Sequence, residues 1–218
     1  MTTAPVVLAD IQAAARRIEG HAQRTPLLRF PELDRRLGCR AFVKPECLQV
    51  TGSFKFRGAY NKIRSAQEAG KVAGVVAFSS GNHAQGVAAA AAQLGVKAII
   101  VMPADAPRIK LDNTRGWGAE VVLFDRYKED REAIARGIAT DKGYVLVPPY
   151  DDPAIISGQG TIGLEIVEDM ARLGLPDLDE PALMASDGFH PGPAGHRLWA
   201  DLVARAFLER AGHRAQGR

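Results

Sequence analysis

Two stretches of this 218-residue chain combine residue types that could do chemistry with a spacing that would present them. The first is Thr51-Gly52-Ser53-Phe54-Lys55-Phe56-Arg57-Gly58-Ala59, which follows the strand-like Ala41 to Lys44 and opens a helical pattern running to about Ala69. Ser53 is predicted to cap that helix. A lysine in the first turn opposes the helix dipole, and with Arg57 nearby the pKa of Lys55 is expected to fall, favouring a neutral, nucleophilic amine. Such an amine attacks carbonyl groups and forms a Schiff base. A lysine in this position is nevertheless most often a solvated surface group, and the pattern alone names no cofactor.

The second stretch is Ser79-Ser80-Gly81-Asn82-His83-Ala84-Gln85-Gly86, set directly after the strand-like Val75 to Phe78 and opening an Ala-rich helix that runs to Leu94. Free amides at a helix start attract anions. Gly81 lets backbone come close to a ligand, and Ser80, Asn82 and Gln85 offer hydrogen bonds to a carboxylate or a ring oxygen. One Ser or Asn here would be explained by capping alone, but so many polar groups in one turn are not. His83 by itself reads as a structural donor before a catalytic group.

Positioning these two turns requires a sheet. Short apolar runs at residues 41–43, 75–78, 98–101, 120–124 and 144–147, each followed by a helix-compatible stretch, predict an α/β fold with an open, doubly wound parallel sheet. Several runs are apolar at both alternating positions, so helices should cover both faces, and ligands should bind beyond the carboxyl ends of the strands. Residues 8–18 place Leu8, Ile11, Ala15 and Ile18 on one helical stripe behind Asp10 as a cap. After Ser157-Gly158-Gln159-Gly160 a helix is expected with Ile162, Ile166 and Met170 inward, ending near Gly174 and Pro176.

Composition excludes several classes. With 46% hydrophobic and 24% charged residues the chain reads as a globular protein, and a net charge of +3 without a basic stripe argues against nucleic acid as a partner. Cys39 and Cys47 form no CxxC pair, so no metal site is expected. The first residues lack a basic segment followed by an apolar core and no later stretch is long and apolar enough to span a membrane, so the expected compartment is the cytoplasm.

Several motifs in order carry a resemblance. Lys44-Pro45-Glu46, Gln49, Thr51 to Ala59, Ser79 to Gly86, Met102 to Pro107 with Lys110, and Asp152-Pro153 through Thr161 together resemble the threonine/serine dehydratase family, which includes serine racemase. These are pyridoxal-phosphate enzymes of the tryptophan-synthase β-like fold (fold type II). The resemblance covers about residues 8–179. It implies that Lys55 binds pyridoxal 5'-phosphate covalently and shuttles the substrate α-proton, that Phe54 stacks near the cofactor ring, and that Asn82 hydrogen-bonds the cofactor's 3′ oxygen. Ser79, Ser80, Gly81, His83 and Gln85 would hold the substrate carboxylate, Ser80 matching the opposite-face base of racemases. The implied reaction takes a small hydroxy amino acid to a 2-oxo acid and ammonia, threonine giving 2-oxobutanoate and serine pyruvate, in a homodimer.

The family continues with a tetraglycine loop for the cofactor phosphate and a Ser or Cys facing the pyridine nitrogen, and this sequence contains neither. Residues 1–179 are therefore expected to form a partial catalytic region, and 180–218 a foreign helical tail. That tail, Ala185 to Trp199, resembles the last block of SGNH (GDSL-type) hydrolases, with Asp187 and His190 as its DxxH pair, but no Gly-Asp-Ser nucleophile element precedes it. A junction of two unrelated proteins, with weak cofactor retention and low dehydratase activity, is the expectation; an esterase remnant and a non-catalytic folded remnant are the alternatives.

Overall fold

The computed structural model describes residues 5–70 and 72–174. Chain order is α1 (Leu8–Ile18), β1 (Leu28–Arg29), α2 (Pro31–Leu37), β2 (Phe42–Val43), a 3-10 turn at Glu46–Leu48, α3 (Lys55–Ala69), β3 (Gly74–Phe78), α4 (Asn82–Gln93), β4 (Lys97–Pro103), α5 (Arg108–Gly116), β5 (Glu120–Phe124), α6 (Arg131–Lys142), β6 (Val145–Leu146) and α7 (Pro153–Arg172). Strands β5-β4-β3-β6 form a four-stranded, all-parallel sheet.

Alternation along the central strands divides the core into two layers, because successive side chains point to opposite faces. Val75, Ala77, Ile100 and Met102 face α3 and α4, joined by Phe56, Ile63, Val87 and the alanines of α4. Val76, Phe78, Ile99 and Val101 face the other way, onto Ala135 and Ile138 of α6. β3 is buried along its whole length and β4 everywhere but its first residue, the covering on both faces expected of a doubly wound sheet. The chain steps outward from β3 to β4 to β5, then returns across the α6 face to place β6 on the other side of β3. The direction of winding thus reverses between β3 and β6, and a crevice opens there at the carboxyl ends.

Some expectations are corrected. The 41–43 run is β2, which pairs antiparallel with the unanticipated β1 in a separate two-stranded ribbon and is no part of the parallel sheet. In α1 Leu8 is 60% exposed and the buried residues are Ala14 and Ile18. Asp10 lies within that helix and accepts from the Val7 amide at 3.0 Å. Ser53 does not cap α3, since Phe54 holds that position and the Ser53 hydroxyl is buried without a partner. α7 begins at Pro153, capped by Asp152 onto the amides of Ala154 and Ile155, so Ser157 to Gly160 lie inside the helix. Among the described residues no helix is long and apolar enough to cross a membrane and no cluster of His, Cys, Asp or Glu could hold a metal. Asp187, His190 and the rest of the tail lie outside the described residues.

Candidate active site

The crevice between β3 and β6 is where the two sequence motifs meet. β3 runs directly into the Ser79–Gly81 turn and α4, and β6 runs into Val147-Pro148-Pro149. Lys55, in the first turn of α3, donates from Nζ to the Pro149 carbonyl at 2.8 Å. Burial pushes its pKa down from 10.5 to about 8. The direction matches the sequence expectation, but the cause differs. Arg57 points away from Lys55 into its own ion pairs, and loss of water lowers the amine's proton affinity. The Lys55 ammonium also lies 5.3 Å from the Phe54 ring centroid.

The loop residues take distinct places. Ser79 accepts from the Gly81 amide at 3.2 Å through its hydroxyl, while its own amide donates to Val101 of β4 at 3.1 Å. Ser80 is exposed and opens onto a cavity of about 620 Å³ lined also by Pro103, Phe124, Arg126 and Arg131; no hydrogen bond joins it to Lys55. Asn82, the first residue of α4, is exposed, and that helix has no side-chain cap. Gln85 accepts from Asn113 at 3.4 Å. His83 is fully buried, its Nε2 3.0 Å from the Val147 carbonyl. Burial above all, with the Lys55 charge adding to it, drives its pKa down to about 4 against the opposing Val147 bond. His83 is thus a neutral structural donor at neutral pH. Lys110 Nζ lies 3.0 Å from where a Cβ on Gly81 would be, and pairs with no carboxylate among the described residues. A cation therefore overhangs an uncapped helix start.

Glycines hold the two motifs together. A Cβ on Gly86 would lie 3.1 Å from the Lys55 carbonyl carbon and 3.2 Å from the Phe56 amide nitrogen, so α4 seats its backbone against the Lys55 turn. Gly86→Ala is expected to cost about 1–3 kcal/mol in urea unfolding, the usual range for forced separation of packed backbone. Gly81→Ala, which meets only the flexible end of Lys110, should cost less than about 1 kcal/mol. Equal costs for the two would show that this close approach is not what Gly86 serves.

The profile of the pyridoxal-phosphate dependent enzyme family matches residues 18–185. The chain belongs to this family. Among curated family members it is 53% identical over 159 residues to an L-threo-3-hydroxyaspartate ammonia-lyase of Pseudomonas sp., covering 73% of this chain and 50% of that protein. It is 46% identical over 166 residues to the catabolic L-threonine dehydratase of Escherichia coli K12, covering 76% and 50%. The structure of maize serine racemase matches with a TM-score of 0.74 at 37% identity over 77% of this chain and 51% of that one. The crystal structure of a T.th. threonine deaminase matches with a TM-score of 0.71 at 49% identity, covering 78% and 53%. The fold is the expected tryptophan-synthase β-like one. The chain spans about half the length of these relatives.

The residues present fit pyridoxal phosphate. Lys55 is a half-buried amine that can shed its proton near neutrality, and the hydroxyls of Thr51 and Ser53 in the turn leading to it are buried without partners, donors left over by the fold itself. Sequence reading missed the Val147–Pro149 segment, whose carbonyls receive both Lys55 and His83. Its only signal was a pair of prolines directly after a strand pattern. Glu165, which joins Arg57 and Lys44, was also missed; the signal was an acid between Leu164 and Ile166 in an apolar stretch of the helix.

Proposed function

We propose that the chain carries the lysine-bearing region of a pyridoxal-phosphate-dependent ammonia-lyase that converts a small hydroxy amino acid into a 2-oxo acid and ammonia. The observation that carries this reading is Lys55, a half-buried amine with a pKa of about 8 in the crevice between β3 and β6, facing the start of α4. The cofactor, when bound, supplies the electron sink that lets an amino acid lose its α-proton and then its β-hydroxyl. The chain's part is to hold and place. Lys55 holds the cofactor and, when neutral, takes the α-proton at Nζ. Phe54 lies beside the ring, and the Asn82 amide is free to meet the ring oxygen. The Ser79, Ser80, Gly81 and Gln85 turn receives the substrate carboxylate, with Lys110 supplying positive charge beside it, while His83 stays bonded to the Val147 carbonyl. Cytoplasmic location and a homodimer complete the reading.

The test is borohydride reduction after incubation with pyridoxal phosphate, followed by peptide mass mapping. The cofactor mass should appear on the peptide carrying Lys55 and vanish in Lys55→Ala. Release of 2-oxo acid is then assayed with L-threonine, L-serine and L-threo-3-hydroxyaspartate. Label distributed over surface lysines, with Lys55 unmodified, would sink the reading.

A further inference from the structure

Val147-Pro148-Pro149 receives two nitrogen groups of the site, the buried His83 Nε2 at the Val147 carbonyl, 3.0 Å away, and the half-buried Lys55 Nζ at the Pro149 carbonyl, 2.8 Å away. Pro148 and Pro149 have no amide hydrogen and ring-fixed φ angles, so this stretch presents acceptors on a stiff backbone. The Val147 amide is already committed to the Val76 carbonyl of β3 at 2.8 Å, which ties the start of the segment to the sheet. A carbonyl can only accept. The single proton of the neutral His83 ring therefore sits on Nε2, and Nδ1 is left buried without a partner. A histidine that gives up a hydrogen bond at one ring nitrogen to keep one at the other has a reason to sit where it does.

We propose that His83 is a positioning residue for Lys55, clasping the Val147–Pro149 segment so that the Pro149 carbonyl holds the Lys55 amine in the crevice and shields it from water. The use of this clasp in catalysis rests on Lys55 being the cofactor lysine. The clasp itself exists in the cofactor-free chain, so the two can fail separately. Among the described residues no carboxylate pairs with Lys55; its neighbours are the neutral His83, the Phe54 ring and the Pro149 carbonyl. Its proton affinity therefore reports how well the segment excludes water.

The experiment labels the cofactor-free chain with formaldehyde and cyanoborohydride across a pH series and quantifies the Lys55 peptide by mass spectrometry, with exposed Lys97 as the internal reference. Wild-type Lys55 should reach half-maximal reactivity near pH 8. In His83→Leu the amine should gain water and the midpoint rise by about one pH unit or more, lowering labelling at pH 7 about tenfold. His83→Gln, whose amide can donate to the same carbonyl, should restore the wild-type profile. Circular dichroism checks that each variant is folded. If His83→Leu does not fold, Pro148→Gly, which keeps both carbonyls but frees the backbone between them, carries the test and should also raise the midpoint. An unmoved or lowered midpoint in a folded variant, or a Gln variant that behaves like Leu, overturns the proposal and leaves His83 as core packing.

Discussion

Gly158→Ala is expected to destabilise the chain by about 3 kcal/mol or more, at or beyond the top of the usual range for overpacking. A Cβ on Gly158 would stand 2.6 Å from the Gly58 Cα, 2.8 Å from the Arg57 carbonyl oxygen and 3.0 Å from the Asn61 Cβ. Two of those three atoms are backbone, so no side-chain rotation relieves the clash. Sliding one helix past the other is also blocked. Asn61 donates to the Ala154 carbonyl at 2.7 Å and the Gly58 amide donates to Gln159 at 3.2 Å, fixing the register of α3 on α7 from both sides of the crossing. Gly158 thus gives clearance to Gly58, which lies one helical turn from Lys55. Against a total stability of roughly 5–15 kcal/mol, such a loss leaves a visible unfolded fraction under mild urea. Gly137→Ala in α6 is the control. It meets nothing within 4 Å, so it should gain about 0.5–1 kcal/mol from the better helix former. Urea midpoints by circular dichroism decide; a Gly158→Ala chain within about 1 kcal/mol of wild type would mean the helices part easily.

The same pair of helices marks the limit of what the sequence made legible. β3, β4, α3 and α4 were readable because their signals are local: apolar runs with both faces covered, followed by polar turns. β2 was readable as a strand but not as part of a separate ribbon, because its partner β1 is two residues long and carries no periodicity. Ser157 to Gly160 looked like a loop before a helix, since glycines ordinarily punctuate chain direction; here they sit mid-helix to admit α3 and α1. At Lys55 the expected fall in pKa was right and the reason was not. Local reasoning counted Arg57 as a neighbouring charge, whereas tertiary folding turns Arg57 to the opposite side and lowers the Lys55 pKa by burial. Chemistry was legible from residue types in order, and the energetics that tune it were not.

Arg57→Ala is expected to cost about 3–5 kcal/mol, the range for removing one partner of a buried ion network. The Arg57 side chain is fully buried. It reaches Glu46 at 2.8 Å and Glu165 at 2.6 Å, and donates to the Gln23 carbonyl at 3.0 Å and to the Thr161 hydroxyl at 3.2 Å. Truncation leaves Glu165 with Lys44 at 2.7 Å, but Glu46 keeps only Thr25 at 2.7 Å and a long contact to Gln49. In the intact chain burial pulls the Glu46 carboxyl upward, yet hydrogen bonds from Arg57 and Thr25 outweigh it and hold the group below its ordinary value. A depressed carboxylate contributes stability above its unfolded pKa and loses it as pH falls through the folded one. Without Arg57 only the hydrogen bond from Thr25 and the long one from Gln49 still oppose burial, so the folded chain's preference for the charged Glu46 carboxylate shrinks. The deficit against wild type should therefore be largest near neutrality and narrow only as the pH falls below about 4, the ordinary range of a glutamate carboxyl, where the intact chain also loses the Glu46 contribution. Urea unfolding of both chains at several pH values measures it. Arg57→Lys, which keeps the charge but not the fork that spans two carboxylates, should fall between them. A gap that stays constant across this range would show that Arg57 supports α3 by packing alone, with Glu46 indifferent to its loss.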